Sequence, residues 1–237
     1  MKSKQCFFIT FSIIHLCVIN SIAQSNSFKQ ELSTAESNLT QHPENPEFYQ
    51  KLHKLVADKS NVTTFSERER LRVVFEKYGK WSSETTYSDR EKGNKIEIQS
   101  HIKNEKGEPI ANAKIHIFQT DADGFYSVTD SATKRMGEND ARLFAYLKSD
   151  VKGNIELKTI RPVSYPKKYN GRSIPQHIHF NISASSYKDK NIQMVFQDDL
   201  VMDAYWQKWA RDADFPIVKL SYLKDKTVGN FEVLLRK

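Results

Sequence analysis

The feature that most constrains this fold is a change in the spacing of apolar residues near residue 95. From Lys95 onward apolar and polar side chains alternate, beginning with Ile96, Ile98 and Ile102. A period of two is that of a β-strand with one buried face, because successive side chains point to opposite sides of the sheet. Further strands of this kind are predicted over Ala113–Phe118, Leu143–Leu147, Ile155–Ile160, His177–Ser183, Gln193–Phe196, Ile217–Leu223 and Phe231–Leu235.

Turns rich in Gly, Asp and Asn separate these strands. They lie at Asn104–Gly107, Asp121–Gly124, Asp150–Gly153 and Asn170–Gly171. Short strands with such turns are typical of a sandwich or barrel. The sequence therefore predicts a mainly β protein, with an antiparallel β-sandwich domain over residues 86–237. A short helix near Asp203–Arg211 is expected to pack on it, with Trp206 and Trp209 as packing residues.

The period before this domain is helical. Apolar residues recur at i, i+4 and i+7 from Phe48, behind a capping pair at Asn45–Pro46. Helices are predicted over Phe28–Leu39, from Asn45 to Val56, and from Ser66 to Gly79. We expect residues 24–85 to form an N-terminal helical segment that covers part of the β domain or a second subunit, as in a homodimer.

The first residues form a separate signal. Lys2 and Lys4 precede an uncharged run from Cys6 to Ile19, which is too short to span a bilayer. Small residues follow at the positions that an export peptidase reads, up to Ala23. The pattern predicts a secretory signal over residues 1–23, cleaved near Ala23, and an exported mature chain without a membrane span.

Removal of this signal changes which ligands are available. Cys6 and Cys17 are the only cysteines of the chain and both lie within it. The mature chain would therefore have no disulfide and no thiolate, and any metal would need nitrogen or oxygen ligands. The formal net charge falls from +7 to +5, because the segment contains two lysines and no acid. Such a modest charge, without a basic run, gives no support to nucleic-acid binding.

The segment Pro175–Phe180 carries the strongest chemical signal. His177 and His179 lie two apart on a predicted strand, so both side chains point to one face, with α-carbons roughly 6.5–7 Å apart. Two imidazoles so placed can converge on one metal ion, although this spacing also occurs on ordinary polar strand faces. No acidic residue follows within nine positions of His179. The residues alone leave open whether carboxylates or phenolates would complete a site.

Four segments, in this order, resemble motifs of the intradiol ring-cleavage dioxygenases. They are Gly107–Gln119, Asp121–Tyr126, Thr159–Pro166 and Pro175–Phe180, within a resemblance that covers residues 96–199. The resemblance implies one non-haem ferric ion, Fe(III), held by Tyr126, Tyr165, His177 and His179. It also implies a catechol-type aromatic substrate, O2 as co-substrate, and ring cleavage to a muconate-type dicarboxylate.

The same resemblance suggests further roles. Tyr126 would be the ligand that the substrate displaces, and Gln193 matches a glutamine that lies beside the ligands in the family. Arg161 also matches, in a structural role. One position departs, because Ile174 stands where the family carries an arginine that stabilises charge on the substrate ring. Arg172, two residues earlier, is the candidate to replace it.

Two alternatives to an enzyme follow from the sequence. Exported prealbumin-like modules, which serve as binding or spacer domains, carry a strand like Gly107–Phe118 and need no metal. The replacement at Ile174 is compatible with an iron-binding protein that lacks catalysis. Other features have ordinary interpretations: Asp121–Gly124 is expected to be a turn and not a calcium loop, and His101 and His116 are expected to face solvent or a neighbour.

Overall fold

A computed structural model describes residues 28–42, 45, 47–48, 51–52, 84–86, 91–126, 141, 143–166 and 168–237. The predicted signal peptide and the predicted helix from Ser66 to Gly79 lie outside the described residues. So does the end of the helix predicted from Asn45 to Val56. In the described part of the chain, no helix is both long and apolar enough to cross a membrane.

Two five-stranded sheets form a sandwich, which confirms the predicted fold. The front sheet has the order β10-β9-β8-β3-β4, and the back sheet has the order β1-β5-β2-β12-β11. The strands are β1 Glu84–Thr86, β2 Lys95–Asn104, β3 Lys114–Gln119, β4 Leu143–Lys148, β5 Asn154–Ile160, β6 Lys168–Tyr169, β7 Arg172–Ser173, β8 His177–Ser183, β9 Lys190–Phe196, β10 Ile217–Val218, β11 Leu220–Leu223 and β12 Lys226–Leu235. Strands β6 and β7 form a small separate hairpin.

The core lies between the two sheets. Alternate residues of β8, namely Ile178, Phe180 and Ile182, are buried there. The Phe180 ring meets Phe231 of the back sheet edge-on, with centroids 5.2 Å apart. Each such fully buried side chain contributes about 1.5–3 kcal/mol of transfer free energy. Burial of this face leaves the other residues of β8, which include both histidines, on the outward face of the front sheet.

The strand pairing differs from the prediction in two respects. Three pairs, β1–β5, β10–β9 and β12–β2, are parallel, whereas only antiparallel pairs were expected. The strand predicted over Ile217–Leu223 is divided between the two sheets, since β10 pairs with β9 and β11 pairs with β12. Gly229 makes room for this crossing, because a Cβ there would lie 2.8 Å from Val218 Cγ1.

Two helices cover the front sheet and its end. Helix α1, residues 28–41, buries Phe28, Leu32 and Leu39 in a cluster with Tyr146 of β4. This first helix of the predicted segment therefore covers part of the β domain. Helix α2, Ala204–Asp212, begins behind Asp203, whose carboxylate accepts a hydrogen bond of 3.1 Å from the Trp206 amide.

The two tryptophans of α2 pack as predicted. Trp206 is buried, and Trp209 lies edge-on to it with ring centroids 5.4 Å apart. Trp209 also meets Phe215 at 5.0 Å. These ring contacts fix α2 against the end of the front sheet, next to β9 and β10.

Candidate metal centre

The two histidines of β8 lie side by side on the outward face of the front sheet. His177 is paired with Val195 of β9, and His179 lies between Gln193 of β9 and Phe118 of β3. Both imidazoles are buried, and their Nε2 atoms are 3.1 Å apart. The spacing of two along the strand therefore produces the convergence that the sequence predicted.

Both imidazoles are neutral near pH 7. The Nδ1 of His177 lies 2.7 Å from the Pro175 carbonyl oxygen, which can only accept, so Nδ1 carries the proton and Nε2 a lone pair. Burial lowers the pKa of His177, and burial together with the neighbouring His177 and His116 lowers the pKa of His179 to about 3. Neutral imidazole is the form of histidine that binds metals.

Phe118 fixes the plane of the second histidine. Its ring is stacked on His179, with centroids 4.3 Å apart and planes 6° from parallel. His116 continues the row toward β4, where its ring stacks on Tyr146 at 4.5 Å. The expectation that His116 faces a neighbour is thus confirmed, and a ladder of rings runs from His179 toward helix α1.

The first tyrosine is delivered by a tight turn after β3. The Asp121 carboxylate accepts hydrogen bonds from the Asp123 and Phe125 amides, at 3.0 and 3.1 Å. This Asx-type turn, as predicted, brings Tyr126 under Phe118, where it is only 1% exposed. Its Oη lies 2.9 Å from His179 Nε2.

The second tyrosine comes from the loop after β5. Tyr165 Oη lies 3.1 Å from His177 Nε2 and 3.4 Å from His179 Nε2, and it also contacts Tyr126 Oη. Burial raises the pKa of Tyr165 well above its ordinary value. The phenol is therefore neutral unless a cation stabilises the phenolate, as a coordinated metal does.

The two tyrosine loops are joined by a network that the sequence did not reveal. Gln119 donates to the Ile160 carbonyl at 2.9 Å and accepts from the Thr159 hydroxyl at 3.0 Å. Thr120 donates to the Val163 carbonyl at 2.7 Å. These bonds link residues about 40 positions apart in the chain, so each tyrosine is held relative to the other.

Glycine at position 124 allows the loops to approach this closely. Gly124 has φ +82°, and a Cβ there would lie 2.6 Å from the carbonyl oxygen of Ser164, the residue before Tyr165. An L side chain would be strained at this φ and would push the two loops apart. The glycine therefore sets the separation of Tyr126 from Tyr165.

The four donor atoms converge, and those of His177, His179 and Tyr165 are spaced as ligands of one metal ion are. The other three donor atoms, Tyr126 Oη, Tyr165 Oη and His177 Nε2, all lie within 3.4 Å of His179 Nε2. One ring nitrogen can make only one hydrogen bond, so hydrogen bonding alone does not account for this arrangement. Nitrogen and oxygen ligands about 2.0–2.2 Å from a common ion lie roughly 2.8–3.6 Å from each other, as His177, His179 and Tyr165 do here. Among the described residues no three His, Cys, Asp or Glu side chains form a metal cluster, and the donors that lie beside the two histidines here are the two phenols. Phenolate oxygens are hard, anionic ligands that suit Fe(III).

Arg161 holds the second loop to the start of β8, in the structural role that was expected. Its Nε donates to Gln176 Oε1 at 2.6 Å, and its two terminal nitrogens donate to the Asp198 carboxylate at 2.8 and 2.9 Å. This bidentate hydrogen-bonded ion pair lowers the pKa of the Asp198 carboxyl. Asp199 in turn accepts from the Gln176 amide at 2.6 Å, directly before His177.

Of the other residues singled out in the sequence, Gln193 lies next to the four donors, and Arg172 contacts residues of helix α2 instead. Gln193 is opposite His179 and on the same face. Arg172 instead donates to Asp203 at 2.8 Å and lies over the Tyr205 ring. Ile174 packs in an apolar cluster with Trp206. The described contacts of Arg172 are thus with the start of α2, and none of them is with Tyr126 or Tyr165.

A cavity of about 610 Å³ lies elsewhere, on the outward face of the back sheet. Its lining includes His101, Glu156 and Glu232, and none of the four donors. His101 there meets the Asn154 side chain at 3.1 Å, as expected for a polar position. These polar side chains lie on the outward face of the back sheet, and none of them contacts the four donors.

The fold and the donor set together define a β-sandwich protein in which two tyrosines and two histidines converge on the outward face of one sheet. A family model described as Dioxygenase matches residues 79–226, which is more than half of the chain. The chain belongs to this family, the intradiol dioxygenases.

Two curated relatives are named as 1,2-dioxygenases. Chlorocatechol 1,2-dioxygenase of Rhodococcus opacus is 29% identical over 127 residues, which is 48% of this chain and 48% of the relative. Hydroxyquinol 1,2-dioxygenase of Corynebacterium glutamicum is 27% identical over 99 residues, 37% of this chain and 31% of the relative. The match therefore spans about half the length of these proteins, or less.

A solved structure supports the fold independently. Catechol 1,2-dioxygenase from Pseudomonas arvilla C-1 has a TM-score of 0.53 and 22% sequence identity, and the match covers 65% of this chain and 56% of that one. At this identity the likeness concerns the β-sandwich alone.

Proposed function

We propose that this protein is an intradiol dioxygenase that inserts both atoms of O2 into a catechol-type substrate and opens the ring between its hydroxylated carbons. The observation that carries the proposal is the convergence of Tyr126, Tyr165, His177 and His179 on one point of the front sheet. A bound ferric ion would hold the two catechol oxygens and withdraw electron density from the ring, which opens it to dioxygen. The chain supplies the ligands, their orientation and a dry site.

We assign different roles to the two tyrosines, and the difference in their burial supports this assignment. Tyr126 is enclosed by Phe118 and Ala141, whereas Tyr165 is only partly buried and lies on a loop. The side chain with room to move is therefore Tyr165, the reverse of the role that the family resemblance suggested for Tyr126. We assign to Tyr165 Oη the release from the ligand set and the acceptance of a proton from a substrate hydroxyl.

The histidines and their neighbours are the fixed part of the proposed site. His177 is held by the Pro175 carbonyl and His179 by the stacked Phe118 ring. Gln193 lies on the same face as His179 and can orient a group bound there. Ile174 is aliphatic, so this position supplies no cation to charge that develops on the substrate.

The proposed setting is outside the cytoplasm, after removal of a signal peptide near Ala23. Support comes from the basic start, the short apolar run and the small residues before Gln24. A mature chain without cysteines suits that setting, because it has no thiol to oxidise.

A visible absorption spectrum of the iron-loaded protein tests the function. We expect a charge-transfer band from tyrosinate to iron, a shift of that band when catechol is added without oxygen, and a ring-opened dicarboxylate once air is admitted. Tyr165→Phe should weaken the band and lower turnover, whereas Tyr222→Phe, at an exposed tyrosine of the back sheet, should change neither. A colourless protein would contradict the metal centre and favour a spacer module. A coloured protein that shifts with catechol but releases no product would favour an iron-binding protein without catalysis.

A further inference from the structure

A hairpin lies between two of the proposed metal ligands. Strands β6 and β7 occupy the loop that begins after Tyr165 and ends before His177. Tyr169 and Arg172 are directly paired across this hairpin, so their side chains point to the same side. The hairpin is therefore connected through the chain to Tyr165 on one side and to His177 on the other.

The hairpin is docked on helix α2 by aromatic and charged contacts. Tyr169 meets Trp206 at 6.4 Å, and the Arg172 guanidinium lies 4.6 Å from the Tyr205 ring centre. Arg172 also donates to Asp203 at 2.8 Å, on the carboxylate that caps α2. The hairpin and the start of the helix therefore form one surface, which we call the aromatic rim: Tyr169, Arg172, Ile174 and Tyr205.

The rim is connected to the proposed metal centre through a buried apolar cluster. Val195 lies opposite His177 on the same sheet face, and it belongs to the buried cluster that contains Trp206. Ile174 packs against that cluster from the segment that enters β8. A buried apolar cluster thus connects the strand beside His177 with Trp206, whose ring contacts the two rim tyrosines.

The rim tyrosines are unusually exposed for rings that rest on a buried tryptophan. Tyr169 is 53% exposed and Tyr205 is 40% exposed. The nearby charge is already paired, since Arg172 has Asp203 as its partner. The exposed ring faces suit an uncharged aromatic ring better than a carboxylate or a sugar, because the cation that lies over Tyr205 is already paired with Asp203.

We propose that the aromatic rim binds a second, uncharged aromatic ring of an aryl-substituted catechol, while the dihydroxylated ring lies at the four donors. This inference rests on the proposed function and names its substrate class. Trp206 holds the rim in place before binding, so little ordering of side chains would accompany binding.

Equilibrium binding to the iron-loaded mature protein, without oxygen, tests this inference with three ligands. They are catechol, 4-phenylcatechol and 3,4-dihydroxybenzoate. We expect 4-phenylcatechol to bind more tightly than catechol by about three- to tenfold, the range of one aromatic contact. Tyr169→Ala should remove that advantage and change the affinity for catechol by less than about twofold. Tyr222→Ala is the matched control, because Tyr222 is 72% exposed on the back sheet.

Each other outcome overturns the inference in a distinguishable way. Equal affinity for catechol and 4-phenylcatechol, with no effect of Tyr169→Ala, removes the rim subsite and leaves the proposed function intact. Preference for 3,4-dihydroxybenzoate that disappears in Arg172→Gln would show an anion site instead. A changed oligomeric state in Tyr169→Ala without changed affinity would make the rim a contact between subunits. Failure of all three ligands to bind contradicts both proposals.

Discussion

At the scale of single residues, Phe118 shows how a residue that does not contact the metal can act on it. Its ring stacks on His179 at 4.3 Å, and no other contact defines the plane of that imidazole so closely among those the structure describes. Groups that orient a ligand histidine typically change metal affinity by about 10–100-fold. We expect Phe118→Leu to weaken iron binding by about tenfold and Phe118→Tyr to retain it.

The control for this prediction is Phe231→Leu, which removes a partly buried ring from the back sheet. Competition with a chelator would measure the affinities, and thermal unfolding would measure stability. If Phe118→Leu and Phe231→Leu lose stability equally and neither loses iron affinity, Phe118 is only a core residue.

The lowered pKa of His179 predicts acid sensitivity of the metal-free protein. Its folded pKa of about 3 lies below the ordinary value of 6.5. The unfolded chain therefore binds the proton more readily, so stability is complete above pH 6.5 and is lost as the pH falls from there toward 3. His179 alone should cost about 2 kcal/mol at pH 5, at 1.36 kcal/mol per pH unit.

Chemical denaturation at pH 7.5 and pH 5 would measure this loss. His179→Gln should have a smaller difference between the two pH values than the unchanged protein, because it lacks the group that titrates. An equal difference in both proteins would show that His179 does not titrate in this window.

At the scale of elements, the junction of the two tyrosine loops depends on Gly124. A Cβ there would lie 2.6 Å from the Ser164 carbonyl oxygen, so Gly124→Ala should combine backbone strain with separation of the loops. We expect a loss of about 2–4 kcal/mol of stability and weaker iron binding, because Tyr126 and Tyr165 would no longer converge.

Gly107→Ala is a matched control for this change. Gly107 has a similar φ of +80° but nothing within 4 Å of an added Cβ, so it should lose only about 1 kcal/mol and keep its iron affinity. Equal losses of stability and iron affinity in the two variants would mean that backbone strain alone, and not the close approach of the loops, explains the effect of Gly124→Ala.

The elements also show what the sequence could and could not predict. Strand β8 was predicted with its observed bounds, because its alternation of buried and outward residues is regular. The division of residues 217–223 between two sheets was missed, since β10 and β11 keep one alternating pattern and the crossing depends on space at Gly229. The stacking of Phe118 on His179 was missed because it requires the β3–β8 register, which the sequence of β3 does not contain.

The candidate site was predictable for a similar reason and within similar limits. His177 and His179 follow from local spacing, and the two tyrosines followed from ordered motifs. The position of Arg172 could not be predicted from the sequence, because its partners Asp203 and Tyr205 lie about 30 residues away. The hydrogen bond from Gln119 to the Ile160 carbonyl could not be predicted either, because it depends on how the two tyrosine loops meet.

At the scale of the whole molecule, helix α1 decides how the N-terminal segment contributes to stability. Leu39 is fully buried, and with Leu32 and Phe28 it covers Tyr146 of the same chain. The apolar side of the helix is therefore already occupied without a second subunit. We expect Leu39→Ala to cost about 2–5 kcal/mol by opening a cavity, with the iron band little changed because the ligands lie on β8 and two loops.

The dependence of unfolding on protein concentration separates this cover from a homodimer contact. If α1 serves its own chain, the midpoint of thermal unfolding of the mature protein is the same at 1 μM and at 100 μM, and Leu39→Ala lowers it equally at both. If α1 instead joins two subunits, mass action raises the midpoint with concentration, and Leu39→Ala weakens that dependence. The same measurement can be made on protein that retains residues 1–23. If the signal segment displaced α1 from Tyr146, Leu39→Ala would no longer lower the midpoint of unfolding.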